Sequence, residues 1–188
     1  VAYWKMKESM TEAIFSQVRK EVESLAPASS PLRVALDDTI LRKTGKTIPG
    51  AAYRKDPLGP PFNINLVWAQ RRIQLSAAVT DENHEVRMIP ISFLDASTPR
   101  KPAKTAPPEQ VELYKERMKQ RNLNTLAREA LRQLQQDRAA ENGGTAPALH
   151  LAVDGSYTNK NMLRHLPPNT ILIGSIRKDA KLSAKPGS

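Results

Sequence analysis

The amino-acid sequence predicts a mixed α/β fold, and three observations lead to this prediction. Apolar residues recur every four positions near the start of the chain, as on one face of a helix. Apolar and polar residues alternate between positions 62 and 79, as they do in half-buried strands. Short apolar runs that border on aspartate then lie on both sides of a long helical stretch. Helices and strands in such an order pack as layers around one core.

The predicted elements are separated by prolines, glycines and asparagines, which interrupt regular structure. In chain order we predict a helix at 3–25, a strand at 32–36, a loop at about 42–61, strands at 62–69 and 73–79 with a solvated turn at Arg71-Arg72 between them, a strand at 86–93, a proline-rich linker at 97–108, a helical stretch at about 109–141, a strand at 149–153, a short helix at 158–165 and a strand at 170–176. Asn122 and Asn124 are expected to split the long helical stretch, because asparagine favours helix caps.

Composition points to a polyanionic partner and excludes several kinds of site. The chain has 188 residues, which is enough for one compact domain. A net charge of +10 favours nucleic acid as the partner, and an anionic membrane surface second. The absence of cysteine excludes disulfides, thiolate metal sites and cysteine nucleophiles, and it is compatible with a reducing cytoplasm. No apolar run approaches the roughly 20 residues that span a bilayer. We therefore expect a cytoplasmic protein without a membrane segment.

Two acidic positions stand out because each closes a short apolar strand. The pair Asp37-Asp38 follows the run 32–36, and Asp154 follows the run 149–153. In open α/β sheets, ligands bind just beyond the carboxyl ends of the strands. Two carboxylates held there side by side repel each other unless a cation compensates them, and Mg²⁺ prefers such oxygen ligands. Aspartate also caps turns and helices, so the spacing alone leaves a purely structural role open.

Five short segments, in this order along the chain, carry a resemblance to a known family. They are Ala35-Leu36-Asp37-Asp38-Thr39, Phe62-Asn63-Ile64-Asn65-Leu66-Val67-Trp68 with Gln70-Arg71 after it, Arg87-Met88-Ile89-Pro90-Ile91, Val153-Asp154-Gly155-Ser156-Tyr157-Thr158-Asn159, and Ile173-Gly174-Ser175-Ile176-Arg177-Lys178-Asp179-Ala180-Lys181-Leu182. Together they resemble DDE-type insertion-sequence transposases that cut DNA through a hairpin intermediate. The resemblance runs from about residue 30 to the end of the sequence. It implies an RNase H-like domain, in which a mixed sheet of antiparallel hairpin strands and parallel strands is flanked by helices.

The same resemblance implies roles for the acidic residues. Asp38, which precedes Thr39, corresponds to the first catalytic acid, and its neighbour Asp37 is the alternative. Adjacent strand residues face opposite sides, so only one of the two is expected to face the metals. Asp154 corresponds to the second acid, and Asp38 and Asp154 would hold Mg²⁺ or Mn²⁺. The third acid of the family, a glutamate on a later helix, has no match after Asp154. We therefore expect it beyond Ser188, and we expect this fragment to be inactive alone.

In such enzymes the metals activate water to nick a DNA strand, and the freed 3′-OH then attacks the other strand or the target DNA. Basic residues near the two acids are candidates for contacts with DNA phosphates, although a solvated basic surface is the alternative. They are Arg42, Lys43, Lys46, Arg54, Lys55, Arg177, Lys178 and Lys181. Thr44-Gly45-Lys46-Thr47 looks like the end of a P-loop, but that motif needs a glycine at position 40, where this chain has isoleucine. We therefore expect no nucleotide cofactor.

These expectations divide the chain into a preceding helical segment, 1–29, and a partial RNase H-like catalytic domain, 30–188, whose C-terminal part is missing. The intact enzyme is expected to act on DNA as a homodimer that cleaves and transfers strands at insertion-element ends. Three alternatives stay open. They are an RNase H-like nuclease or resolvase, a decayed copy that only binds DNA, and an unrelated basic α/β binding protein in which Asp38 and Asp154 are not close.

Overall fold

A mixed β-sheet forms the centre of the fold in the computed structural model. The structure describes residues 2–26, 30–45, 47–60, 62, 64–99, 101–176 and 178, with side chains from Met10 onward. Within these residues the sheet has six strands. They are β1 (Leu32–Arg42), β2 (Ala52–Lys55), β3 (Leu66–Thr80), β4 (Val86–Asp95), β5 (Leu149–Val153) and β6 (Thr170–Gly174).

The sheet is antiparallel on one side of β1 and parallel on the other. The strand order is β2-β3-β1-β5-β6, and β4 also pairs with β3. Strand β3 runs antiparallel to β1, β2 and β4, whereas β5 runs parallel to both β1 and β6. Both β2 and β4 lie on the edge of β3 that faces away from β1, because β3 residues that pair with β1 pair with them as well. The prediction of an α/β fold with an open mixed sheet flanked by helices is confirmed.

Four helices accompany the sheet within the described residues. They are α1 (Ala2–Leu25), α2 (Pro108–Gln120), α3 (Leu123–Glu141) and α4 (Lys160–Arg164). The predicted long helical stretch is split as expected, because the side chain of Asn122 accepts a hydrogen bond from the backbone N–H of Asn124 at 2.9 Å and caps α3. None of the described helices is long and apolar enough to cross a membrane.

The core lies between one face of the sheet and the apolar faces of α1 and α3. Alternate residues of the central strands point into it, among them Leu36, Leu75 and Leu151, all essentially buried. Helix α3 contributes Leu131, and α1 contributes Val22. This packing places the helices on the sheet face that Leu36 shares with Asp38 two positions further along β1.

Polar contacts also attach α1 to the rest of the fold. The buried Arg138 of α3 forms an ion pair with Glu23 of α1. Arg19 of α1 donates a hydrogen bond to the backbone carbonyl of Ile91 on β4 at 3.2 Å. Burying a guanidinium is tolerated only when it is paired, so Glu23 is part of what allows Arg138 to lie inside.

Four strand predictions are wrong. The strand predicted to begin at residue 62 begins at Leu66. Strand β1 does not end at Leu36 but continues to Arg42, because β3 provides hydrogen bonds along its whole second half. Strand β2 lies within the segment predicted to be a loop. Strand β3 runs without a break through Arg71 and Arg72, which were predicted to form a turn. The two arginines are accommodated in a strand because Asp38 and Asp95 respectively lie next to them.

Truncation of a buried leucine of α3 should destabilise the domain far more than truncation of an exposed one. Leu131 is fully buried, whereas Leu113 of α2 is 46% exposed. We expect Leu131→Ala to lower the free energy of unfolding by about 2–5 kcal/mol, because it removes apolar contacts and leaves a cavity. Leu113→Ala should cost less than about 1 kcal/mol. Urea unfolding followed by circular dichroism measures both, and equal losses would contradict the assigned core.

Candidate functional site

The two predicted acids lie at the same end of the parallel strand pair. The pairing of β1 with β5 runs from Leu32 opposite Leu149 to Leu36 opposite Val153. Asp154 follows Val153 directly, and Asp38 lies two positions past Leu36. Because β5 ends here while β1 continues beside β3, Asp38 lies where β1 has a strand partner on one edge only. This is the position at which ligands bind in open α/β sheets.

The carboxylate of Asp38 has a partner on each of its oxygens. The Nε of Arg71 donates to Oδ2 at 2.6 Å, and the hydroxyl of Tyr157 donates to Oδ1 at 3.0 Å. The antiparallel register puts Arg71 opposite Ile40, on the same face of the sheet as Asp38. The Asp38 side chain is only 12% exposed, so its charge is compensated locally by the guanidinium rather than by bulk water.

Asp37 lies apart from this group. It is exposed on the opposite face of β1, and its Oδ1 accepts a hydrogen bond from the backbone N–H of Asp38 at 2.8 Å. Of the two neighbouring aspartates, Asp38 is therefore the one that faces Arg71 and Tyr157. The alternation of side chains along a strand produces this separation.

Asp154 begins a turn that carries the chain into α4. Its Oδ1 accepts hydrogen bonds from the backbone N–H of Ser156 at 3.0 Å and from the Ser156 hydroxyl at 2.6 Å. Such a turn is a common structural use of aspartate. Its other oxygen, Oδ2, has no hydrogen-bond partner among the described residues.

Tyr157 connects the two acids electrostatically. The residue is fully buried, and burial raises the pKa of its hydroxyl. The negative charge of Asp38 and the hydrogen bond to it raise this pKa further, and the charge of Asp154 adds to the same effect. The Tyr157 hydroxyl therefore lies within the field of both carboxylates and stays protonated as a hydrogen-bond donor to Asp38. This role of Tyr157 has no signal in the sequence, because nothing local distinguishes a tyrosine whose partner is 119 residues away.

A basic cleft begins at Asp38 and extends along β2. Its volume is about 810 Å³. The charged residues that line it are Asp38, Arg42, Arg54, Lys55, Asp56 and Arg71. Four of these six side chains are cationic, so the cleft is attractive to an anion. Three of the predicted DNA-contacting residues, Arg42, Arg54 and Lys55, are thus brought together next to Asp38.

Of these three predicted residues, Arg42 and Arg54 already have side-chain hydrogen-bond partners. Arg42 donates to the buried carboxylate of Asp56 at 2.6 Å, and Arg54 donates to the hydroxyl of Thr98 at 3.1 Å. Burial lowers the pKa of Arg54, and the charge of the neighbouring Arg71 lowers it further. The Nε and Nη2 atoms of Arg54 are buried and have no hydrogen-bond partner among the described residues.

The remaining predicted DNA-contacting residues do not join the cleft. Lys43 is not part of its lining, and its backbone N–H donates to the carbonyl of Trp68 at 2.8 Å. Lys178 is exposed in a turn after β6. Lys46, Arg177 and Lys181 lie outside the described residues.

The donor chemistry fits a hard divalent cation in part. Across the described ranges, no group of three or more histidine, cysteine, aspartate or glutamate side chains is arranged to hold a metal ion. Asp38 and Asp154 together supply carboxylate oxygens of the type that Mg²⁺ and Mn²⁺ prefer, and water commonly completes the coordination of Mg²⁺. Arg71 occupies one of the Asp38 oxygens, so a cation would compete with this ion pair.

Comparisons with protein-family models, with curated proteins and with solved structures return no match for this chain. The interpretation of the site therefore depends on its geometry, its charges and the order of the strands that carry it.

The stability of the domain should fall in alkaline solution, and Tyr157 should contribute to this fall. The folded state holds the phenol proton more tightly than the unfolded chain, whose tyrosines titrate near 10.0. The stabilisation from this group is therefore complete below that pH and is lost as the pH rises above it. In Tyr157→Phe we expect the free energy of unfolding to fall less steeply with rising pH, with a slope smaller by up to about 1.4 kcal/mol per pH unit.

Urea unfolding at a series of pH values from about 8 to about 11 measures this decline. Tyr53→Phe is the matched control, because Tyr53 is 72% exposed and should leave the pH dependence unchanged. Identical pH profiles for Tyr157→Phe and the unaltered chain would contradict the assigned environment of Tyr157.

Proposed function

We propose that this chain is part of the catalytic domain of a DDE-type DNA transposase, whose intact form cleaves DNA and transfers strands at insertion-element ends with Mg²⁺ or Mn²⁺. The observation that carries the proposal is the placement of Asp38 and Asp154 at the same end of neighbouring parallel strands, next to a basic cleft. Neither acid alone would support it, because isolated aspartates at strand ends commonly serve turns.

The strand order supports the RNase H-like part of the proposal. Antiparallel strands β3 and β4 lie on one side of β1, and parallel strands β5 and β6 lie on the other. The resemblance to DDE-type transposases implies such a mixed sheet of antiparallel hairpin strands and parallel strands. The sequence segments and the strand order therefore both support the proposal.

The residues of the site have separable roles in the proposed activity. Asp38 and Asp154 would hold the cation, which supplies a Lewis acid that polarises a phosphodiester and lowers the pKa of a bound water. Tyr157 holds the Asp38 carboxylate in position through its hydroxyl. Arg42, Arg54 and Lys55 would bind phosphates of the DNA backbone along the cleft, where a net charge of +10 on the whole chain attracts the polyanion.

A DNA-binding remnant without catalysis is a second candidate, and the ion pair between Asp38 and Arg71 favours it. The guanidinium of Arg71 lies 2.6 Å from the carboxylate of Asp38 and neutralises its charge. A site of this kind is stable as it stands, and the basic cleft would bind DNA whether or not a cation enters. The two candidates differ in one measurable property, which is whether Asp38 and Asp154 bind a divalent cation together.

Mg²⁺ binding should depend on both acids if the transposase proposal is right. We expect isothermal titration calorimetry to detect weak binding to the unaltered chain, and Asp38→Asn and Asp154→Asn each to abolish it, because a hard cation needs both carboxylates. The control is Glu116→Gln on the exposed surface of α2, which should bind Mg²⁺ like the unaltered chain. Binding that survives both aspartate substitutions would favour the remnant instead.

DNA binding should depend on the cationic residues of the cleft in a salt-dependent way. Lys55→Gln removes one cation from the cleft lining, and we expect the slope of log affinity against log salt to fall by about 0.9 if this lysine contacts one phosphate. The control Lys115→Gln removes a lysine that pairs with Glu112 on the surface of α2 and should leave the slope unchanged. Fluorescence anisotropy with a labelled duplex at several salt concentrations measures both slopes, and equal slopes would exclude Lys55 from the interface.

A further inference from the structure

The ion pair between Asp38 and Arg71 joins two groups that would bind different ligands in the proposed function. Asp38 would bind the cation, and Arg71 is available for a DNA phosphate. The Nε of Arg71 donates to Oδ2 of Asp38 at 2.6 Å. A carboxylate neutralised in this way is a poorer ligand for a cation, and a guanidinium occupied in this way is a poorer partner for a phosphate. Metal and phosphate therefore each compete with the same ion pair.

A second guanidinium with unused hydrogen-bond donors lies beside this ion pair. Arg54 shares the cleft lining with Arg71, and its Nε and Nη2 atoms have no hydrogen-bond partner among the described residues. Burial lowers the pKa of Arg54 and the like charge of Arg71 lowers it further, whereas Asp95 and Asp38 raise it. Leaving buried donors unpaired is costly, and an anion that accepts from both arginines would relieve the cost and the repulsion together.

We propose that Arg54 and Arg71 form a phosphate subsite beside Asp38, and that Arg71 exchanges Asp38 for a DNA phosphate when DNA binds, which frees Asp38 for Mg²⁺. This inference rests on the proposed function and adds a coupling between its two ligands. Guanidinium groups suit the exchange, because their forked donors bind carboxylate and phosphate oxygens in the same geometry.

The exchange requires the Arg71 side chain to move and the buried Nε and Nη2 atoms of Arg54 to become accessible to the phosphate. Arg71 is 34% exposed and borders the cleft, so its guanidinium can turn from Asp38 toward a ligand within that space. Tyr157 keeps its hydrogen bond to Oδ1 and holds the carboxylate in place while Oδ2 becomes available. Because coupling between two ligands is reciprocal, Mg²⁺ should tighten DNA binding by the same factor by which DNA tightens Mg²⁺ binding.

Removal of the Arg71 guanidinium should mimic the effect of DNA on the metal site. We expect Arg71→Gln to raise the affinity for Mg²⁺ in the absence of DNA by roughly fivefold or more, measured by calorimetry. The matched control is Lys55→Gln, which removes a charge from the same cleft without touching Asp38 and should change this affinity by less than about twofold. In Arg71→Gln, Mg²⁺ should no longer tighten the binding of a short labelled DNA duplex.

The complementary experiment removes the carboxylate of Asp38 and measures the affinity for DNA. Asp38→Asn should release Arg71 and tighten duplex binding in the absence of Mg²⁺, measured by fluorescence anisotropy. Asp37→Asn is the control, since it removes the same charge from the adjacent position on the opposite face. We expect its effect to be clearly smaller, and Arg54→Gln should weaken duplex binding.

The outcomes separate this inference from the function on which it rests. If Arg71→Gln binds Mg²⁺ with unaltered affinity while Asp38→Asn abolishes binding, the exchange is wrong and the proposed function stands. If Asp38→Asn leaves Mg²⁺ binding unchanged, the proposed function itself fails. Should Arg71→Gln not fold, as judged by circular dichroism, the Asp38→Asn measurement decides. Duplex binding tighter than in Asp37→Asn supports the exchange, and binding equal to or weaker than in Asp37→Asn overturns it.

Discussion

The pairing of β1 with different partners on its two edges is the constraint on which the rest of the structure depends. One edge is hydrogen-bonded to β3 from Val34 to Arg42, and the other is bonded to β5 only from Leu32 to Leu36. The strand is therefore rigid throughout, yet one of its edges is open beyond Leu36. A side chain placed there has a backbone fixed by β3 on one edge and no strand beside it on the other, which suits a binding group. Asp38 occupies that position.

The carboxylate of Asp38 needs hydrogen-bond donors and a counter-ion, and these come from elements far apart in the sequence. Arg71 comes from β3, and Tyr157 comes from the turn after β5. Both contacts exist only because β1 lies between these two strands in the sheet. The same topology brings Arg54 of β2 to the cleft, since β2 pairs with the start of β3, a few positions before Arg71. The charges of the site are thus a consequence of strand order rather than of any local motif.

This dependence explains which features could be predicted from the sequence. Periodicity predicted α1, β5 and the division between α2 and α3, because amphipathic patterns and an asparagine cap are local signals. The second half of β1 and the short β2 were missed, since they are strands only through their pairing with β3. The predicted turn at Arg71-Arg72 failed for the same reason, because the carboxylates that neutralise the two arginines come from other strands. The alternation rule did anticipate that Asp37 and Asp38 face opposite sides.

The identity of the residue beside Asp38 says more about the site than the net charge of the chain does. A basic protein surface attracts any polyanion, and its charge can be spread in many ways. An arginine at position 71 is different, because it satisfies Asp38 when the site holds no ligand and can satisfy a phosphate when it does. A lysine would neutralise the carboxylate as a point charge but would lack the forked donors that suit both partners. An apolar residue would leave Asp38, which is 12% exposed, without a counter-ion in the free protein. Arg71 therefore serves two requirements. It neutralises Asp38 in the free protein, and in the proposed exchange it can release the carboxylate for binding.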